Sequence, residues 1–440
     1  MKNPIRAVLL PLSALMLLAG CAVGPEYKPP SLQSLHSSEF PASFGEPPKG
    51  LASGAVEVEW WRGFDDPALA GLVKRALAAN HDIGIAAARL EEANALLRQS
   101  RQSFLPSGGP ALSYENRRRS EFETPPGQPR GIESYRGAVD ASWEIDLFGR
   151  VRRSVEEAQA QAGSREALLR GVQAGVAAAV ASTWFELQGV EAELAVVADI
   201  IKTQSEGLRV VEGLVSAGSA SEFDRLRAEA ALRRVEGAVP ELARRRAAST
   251  NALAILLGET PQAFRPPATT SAAETLTVRT IDVGDPAALL SRRADIAAAE
   301  RSLAAATARI GVDTAGLYPQ VQVQGSIGLI AGSLNPMSGA SALAGFISPA
   351  IRWSLFDTGR VRAQIAASEA RTKEALVIYD QTVLRALQEA DDAFKAYGAA
   401  GSTLGLRLLE SSANREVARL ARSRFSHGEG LYLDLLEAER

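Results

Sequence analysis

Asp434 and Glu437 stand three residues apart near the end of this 440-residue sequence. In a helix that spacing puts both carboxylates on one side. Alone in water they are simply an acidic turn; brought together with copies of themselves they concentrate negative charge. Little else in the chain is arranged for chemistry. Cys21 is the single cysteine, which excludes an intrachain disulfide and a cysteine-built metal cluster. His36, His81 and His427 are scattered without ligand spacing. There is no zinc, EF-hand or phosphate-loop pattern, and no serine sits in a Gly-x-Ser-x-Gly elbow. The expectation is therefore no enzyme, no metal and no cofactor. Arg117-Arg118-Arg119 falls at a strand end and reads as a solvated or lipopolysaccharide-facing loop patch. Arg244-Arg245-Arg246 reads as a helix surface.

Cys21 has a different use. Lys2 and Arg6 precede an apolar run from Ala7 to Leu18, too short to span a bilayer and suited to a signal peptide over residues 1–20. Leu17-Leu18-Ala19-Gly20-Cys21 resembles the lipobox of bacterial lipoproteins, in which the thiol is acylated before cleavage. Several acyl chains hold a protein at a membrane stably where one does not. Ala22, not Asp, follows the cysteine; by resemblance to lipoprotein sorting this favours the outer membrane. The formal charge is −3, and near −5 once Lys2 and Arg6 leave with the signal, which gives no reason to expect a nucleic-acid partner.

The body of the chain is two diverged copies. Trp143-Glu144-Ile145-Asp146-Leu147-Phe148-Gly149-Arg150-Val151 parallels Trp353-Ser354-Leu355-Phe356-Asp357-Thr358-Gly359-Arg360-Val361. Asp82, Leu90, Ala93 and Pro106 match Asp295, Leu303, Ala306 and Pro319 without a gap. Gly218, Asp224, Leu226, Ala228 and Glu229 match Gly428, Asp434, Leu436, Ala438 and Glu439. Matches in one fixed order over most of a chain mark a duplication.

Each copy reads as helix, two strands, long helix, turn, helix. The first helix is expected from Asp66 to Phe104, and its counterpart from Pro286 to Leu317, with Pro67 and Pro286 near the starts. Tyr135 to Leu147 alternates Tyr135, Gly137, Val139, Ala141, Trp143, Ile145 and Leu147 against polar neighbours, a period of two. Gln320–Leu329 and Ile347–Leu355 repeat the pattern, and Ala111–Arg117 shows it weakly. A half-buried soluble sheet alternates in the same way. Tyr135, Trp143, Phe148, Trp353 and Phe356 at strand ends favour membrane-interface aromatics instead. A lipid-exposed sheet has to close, and four strands are too few, so that reading requires an oligomer; three copies give about 12 strands. Val151–Ser216 and Val361–Ser426 hold no proline and are rich in Ala, Glu, Arg and Leu, which suits very long, closely packed helices. Pro240 is expected to kink the return helix that runs to Leu257-Gly258.

These features resemble the TolC-like outer-membrane factors, in particular the lipoprotein (NodT/OprM-like) branch of resistance–nodulation–division efflux systems. The match is carried by the Cys21 lipobox, Gly24-Pro25-Glu26-Tyr27, Trp60-Trp61, Phe64, Asp66-Pro67, Leu69, Trp143 to Arg150, Leu256-Leu257-Gly258, Arg292-Arg293-Ala294-Asp295-Ile296 and Tyr318-Pro319. The resemblance implies a mainly α fold with membrane β: a homotrimer whose 12-stranded β-barrel, four strands per protomer, joins a long-helix α-barrel in the periplasm. It implies a passive duct carrying drugs or other small molecules outward, with a periplasmic adaptor and an inner-membrane pump as partners and outer-membrane lipid around it. It places the periplasmic gate at Asp434 and Glu437, where a threefold ring of carboxylates attracts cations and raises some pKa values. It places adaptor-docking tips at Gly218, Ala220, Ser221 and Gly428, for which helix capping is an equal account. Some members latch the gate with an Arg after the tip glycine; here that position is Gly430, so Asp224 lacks the cationic half.

The expected organisation is a signal peptide (1–20), a lipidated tether and equatorial segment (21–65), a first repeat (66–258), a linker (259–285) and a second repeat (286–440). By analogy with copy one, the second repeat stops inside its last helix. The alternative function is a lipid-anchored periplasmic coiled-coil adaptor or scaffold, which shares the long helices but has no use for two pairs of amphipathic strands. A surface-anchored enzyme would need a convergent catalytic set, and none is visible.

Overall fold

A computed structural model describes residues 22–30, 51–52, 59–268, 281–282, 290–334, 339–427, 429 and 432–439. The signal peptide, Cys21, Pro286, Gly428 and Gly430 lie outside the described residues. The chain divides into two compact units. One takes residues 1–39, 88–168 and 294–382; the other takes 40–87, 169–293 and 383–440.

The first unit holds an antiparallel sheet of four strands: β2 (Ser107–Arg118), β3 (Gly131–Ile145), β5 (Gln320–Ala331) and β6 (Leu343–Arg352), in the order β2-β3-β5-β6. Each repeat supplies a hairpin, and the two hairpins join through β3 and β5, with Val139 opposite Ile327 and Trp143 opposite Val323. All four expected strands are present, the weakest included, with ends shifted by a few residues. Helix α6 (Ala294–Thr314) buries Ala298, Leu303, Ala304, Ala305 and Ala308; these mostly small side chains let neighbouring backbones come close.

The second unit has the apolar core. Helix α1 (Pro67–Ala79) buries Leu69, Leu72, Val73 and Ala76, positions a turn apart on one face. They pack with Val176, Val180, Trp184 and Leu187, and with Leu253, Leu257 and Phe264. Two short strands, β1 (Leu51–Ala52) and β4 (Ile281–Asp282), pair in parallel in this unit. That pairing joins the expected tether to the expected linker.

Two helices are very long: α3 (Arg150–Ser216) has 67 residues and α7 (Thr358–Ser426) has 69. No described helix is long and apolar enough to cross a membrane. One helical expectation needs correction. The first helix is not continuous from Asp66, because Asn80 ends α1 in an extended conformation and caps α2 (His81–Gln102). Its side chain accepts from Asp82 N and Ile83 N at 2.9 and 3.2 Å. At Pro240 the return helix is interrupted as expected, with Gly237 and Ala238 keeping right-handed helical dihedrals across the break. Helix α4 (Glu222–Glu236) ends at Gly237, and α5 (Val239–Leu256) carries Pro240 in its first turn, where a missing N–H breaks no bond. The last described helix is α8 (Tyr432–Glu439).

Candidate functional site

The strand register sorts the sheet into two chemically different faces. One face carries Pro110, Leu112 and Tyr114 of β2, and Tyr135, Val139, Ala141, Trp143 and Ile145 of β3. It continues through Val321, Val323, Ile327 and Leu329 of β5 to Leu343, Ile347 and Ile351 of β6. Leu112 is 86% exposed, Ile347 79% and Ile351 73%. An apolar face this continuous and this bare is not the half-buried face of a soluble sheet; it needs an apolar medium against it. The opposite face carries Ser113, Arg136, Asp140, Ser142, Glu144, Gln320, Gln322, Gln324 and Ser326. There Arg136 Nη1 donates to Asp140 at 3.1 Å and Arg136 Nη2 to the Ser326 hydroxyl at 2.9 Å. Among the described residues β2 and β6 each have one neighbour, which leaves two edges of the sheet open.

The aromatics lie at both ends of the apolar face. Tyr135 meets Tyr114 with ring centroids 4.8 Å apart at the end away from the helices. Trp143 and Trp353 sit at the helix end. Trp143 Nε1 donates to Phe104 O at 3.0 Å, and Trp353 Nε1 to Leu317 O, also at 3.0 Å. The two acceptors are equivalent positions of the repeat, so the duplication reappears as one hydrogen bond made twice. Phe148 stacks on Tyr318 at 4.8 Å, and Phe356 is fully exposed. Eight residues separate Tyr135 from Trp143, about 26 Å along a strand and roughly 20 Å across a bilayer once tilted, close to the apolar band of outer-membrane barrels.

The Trp143–Arg150 motif builds the strand-to-helix junction. Glu144 accepts both Nε and Nη2 of Arg150 at 2.6 Å. Asp146 accepts Val151 N at 3.1 Å and Arg152 N at 3.0 Å, capping α3. Gly149 has φ +84, and a Cβ there would lie 2.6 Å from Ala22. Ala22, the neighbour of Cys21, is thereby set against the end of the sheet. The strap then continues through the Gly24-Pro25-Glu26-Tyr27 motif. Val23 N donates to Phe148 O at 3.1 Å, and the buried Arg153 donates to Val23 O at 3.2 Å. Gly24, at φ +89, crosses Gly311 with no room for a side chain. Tyr27 Oη donates to Glu300 at 2.5 Å, with the Arg301 guanidinium 5.7 Å from its ring. Burial, then the Glu300 bond, raises the Tyr27 pKa; bonds from Arg301 and Tyr27 outweigh burial and lower that of Glu300. The roles of Arg153, Glu300 and Gly311 left no sign in the sequence.

At the turn after α3, Gly218 takes φ +73 and Ser219 N returns to Leu214 O at 2.8 Å, a left-handed helix end. Ser221 and Asp224 form a capping box on α4: Asp224 accepts Ser221 N at 3.1 Å, and Asp224 N donates to the Ser221 hydroxyl at 3.3 Å. The Ser221 hydroxyl, donating to Asp224 at 2.6 Å, and then the Ser221 N hold the Asp224 carboxyl below its ordinary pKa. Asp224 is thus engaged within its own turn. Asp434 and Glu437 lie exposed on α8, with Leu435 buried between them and Arg422 paired to Glu439 nearby. The described residues hold no His, Cys, Asp and Glu grouping fit for a metal.

A long-helix protein whose sheet carries one bare apolar face and one largely polar face has the architecture of an outer-membrane channel. The family profile described as "Outer membrane efflux protein" matches residues 72–259 and 286–440, and the chain belongs to that family, in its NodT/OprM-like branch. It is similar to the solvent efflux pump outer membrane protein SrpC of Pseudomonas putida, 28% identical over 98% of this chain and 91% of that one. Nodulation protein T of Rhizobium leguminosarum bv. trifolii is 27% identical over 97% and 89%. The solved outer-membrane channel OprN superposes with a TM-score of 0.86 at 34% identity, covering 96% and 93%. The chain is an outer-membrane efflux duct, and the scaffold alternative leaves its exposed apolar sheet without a role.

Proposed function

We propose that three copies of this chain close their sheets into one 12-stranded barrel, with the apolar faces in lipid and the Arg136–Asp140–Ser326 faces lining the passage. The observation that carries this is the bare apolar face bounded by two open edges. Unpaired strand edges in hydrocarbon cost several kcal/mol per group, so the sheet has to close on copies of itself. Acylation of Cys21 adds a lipid anchor, and the strap from Ala22 to Tyr27 sets that anchor beside the strand ends and the interfacial Trp143 and Trp353. The helices extend into the periplasm and meet an adaptor at the Gly218–Ser221 tip and its Gly428 counterpart, fed by an inner-membrane pump. Asp434 and Glu437, exposed and a turn apart, form the carboxylate ring that narrows the periplasmic end. The duct is passive and performs no reaction. Cross-linking of cysteines placed on the β2 and β6 edges tests the closure. A covalent trimer ladder in outer-membrane fractions is expected, and a monomer that never cross-links contradicts it.

A further inference from the structure

We infer that the helical wall carries a binding site for amphiphilic anions, which rests on the duct reading above. Four helix segments of the first unit, from α2, α3, α6 and α7, surround an open cavity of about 670 Å³. Its charged lining is Arg89, Arg165, Arg309 and Arg371 against Glu92 and Glu157. Arg309 is already engaged, 3.7 Å from Glu157 and 3.3 Å from Asp313. Arg89, Arg165 and Arg371 are exposed and make no ion pair among the described residues. The lining therefore carries four guanidinium groups against the carboxylates of Glu92 and Glu157, with Asp313 sharing Arg309. Leu96 and Leu168 supply apolar wall between them.

In the closed ring proposed above, the cavity faces the passage. Glu300 and Gly311 of α6 meet the strap and Ser302, Ala306 and Arg309 line the cavity, while Ala305, beside Ala304 in the cluster under Tyr27, also reaches the cavity. At about 3.6 residues per turn these two sets fall on opposite sides of the helix. Acyl chains at Cys21 reach lipid only from outside a closed ring, so the strap runs outside and the cavity opens inward. The volume suits a drug-sized molecule. Forked guanidinium groups over apolar wall select a carboxylate or sulfonate on an aromatic or aliphatic body. The basic belt would hold anionic cargo inside a duct whose acidic ring favours cations at its entrance.

Titration of the purified oligomer in non-ionic detergent with naphthalene-1,5-disulfonate tests this, comparing the wild type with Arg165→Gln/Arg371→Gln and Arg165→Lys/Arg371→Lys. Saturable binding is expected, weakened at least about tenfold by the Gln pair, largely kept by the Lys pair and reduced by added salt. Equal affinity in all three, equal loss in both pairs, or no saturable binding by the folded wild type overturns the site. Conductance of the same preparation judges the duct separately: absence of channels contradicts the duct, and the titration still decides whether the anion site exists.

Discussion

One carboxylate holds together the start of the helical core. Asp66 Oδ1 accepts Ala68 N and Leu69 N at 2.8 and 3.0 Å, and Oδ2 accepts Trp184 Nε1 and Gln188 Nε2 at 2.7 and 3.1 Å. Trp184 is fully buried. Asp66→Ala removes a helix cap, about 1 kcal/mol, and strands a buried indole N–H, about 1–3 kcal/mol more. A clear fall in the thermal midpoint of the purified protein is expected, and an unchanged melt would refute this role. Asp224 makes a pH-dependent contribution. Its folded-state pKa lies below the unfolded one because the Ser221 hydroxyl and backbone bind the carboxylate. Its stabilisation is therefore complete above the ordinary carboxylate range and is lost as pH falls through the depressed value. Amide exchange in α4, corrected for intrinsic rates, should quicken on acidification in the wild type and lose that dependence in Asp224→Asn.

The sheet and the strap give predictions about elements. A lysine on the apolar face, as in Leu112→Lys or Ile347→Lys, should cost about 2–4 kcal/mol near mid-bilayer, whereas Gln324→Lys on the polar face should be tolerated. Yield of heat-modifiable protein in outer-membrane fractions distinguishes the two faces, and equal loss from both would show that the sheet is not in lipid. Tyr27→Phe removes the bond to Glu300, worth about 1–3 kcal/mol for a charged partner. Faster proteolytic release of the N-terminal segment should follow. The strands could be read in the sequence because lipid on one side and water on the other impose a period of two on residues next to one another in the chain. The strap's partners could not, since Tyr27 and Glu300 are 273 residues apart and nothing local marks the contact. Asn80 is illegible for another reason: a single Asn inside an apolar periodicity is compatible with a continuous helix, and its cap of α2 together with its bond to Leu256 O, at 2.9 Å, fixes the break. Pro240 marks its interruption in the sequence because it has no N–H to give, while the Gly237-Ala238 turn before it carries no such mark.

At the scale of the whole molecule, the two repeats supply equivalent hairpins, long helices and Trp-to-carbonyl bonds but unequal ends. Gly149 turns with positive φ, while Gly359 does not. Asp224 closes a capping box, while its counterpart Asp434 stays exposed beside Glu437. In the function proposed above, the first tip is a rigid turn and Asp434 and Glu437 supply the gate charges. Planar-bilayer conductance of the purified, detergent-extracted protein, compared with Asp434→Ala/Glu437→Ala, tests the duct most directly. Discrete channels in the wild type are expected, with larger conductance or lost cation preference in the double variant. A folded, membrane-extracted wild-type protein that opens no channel would contradict the account.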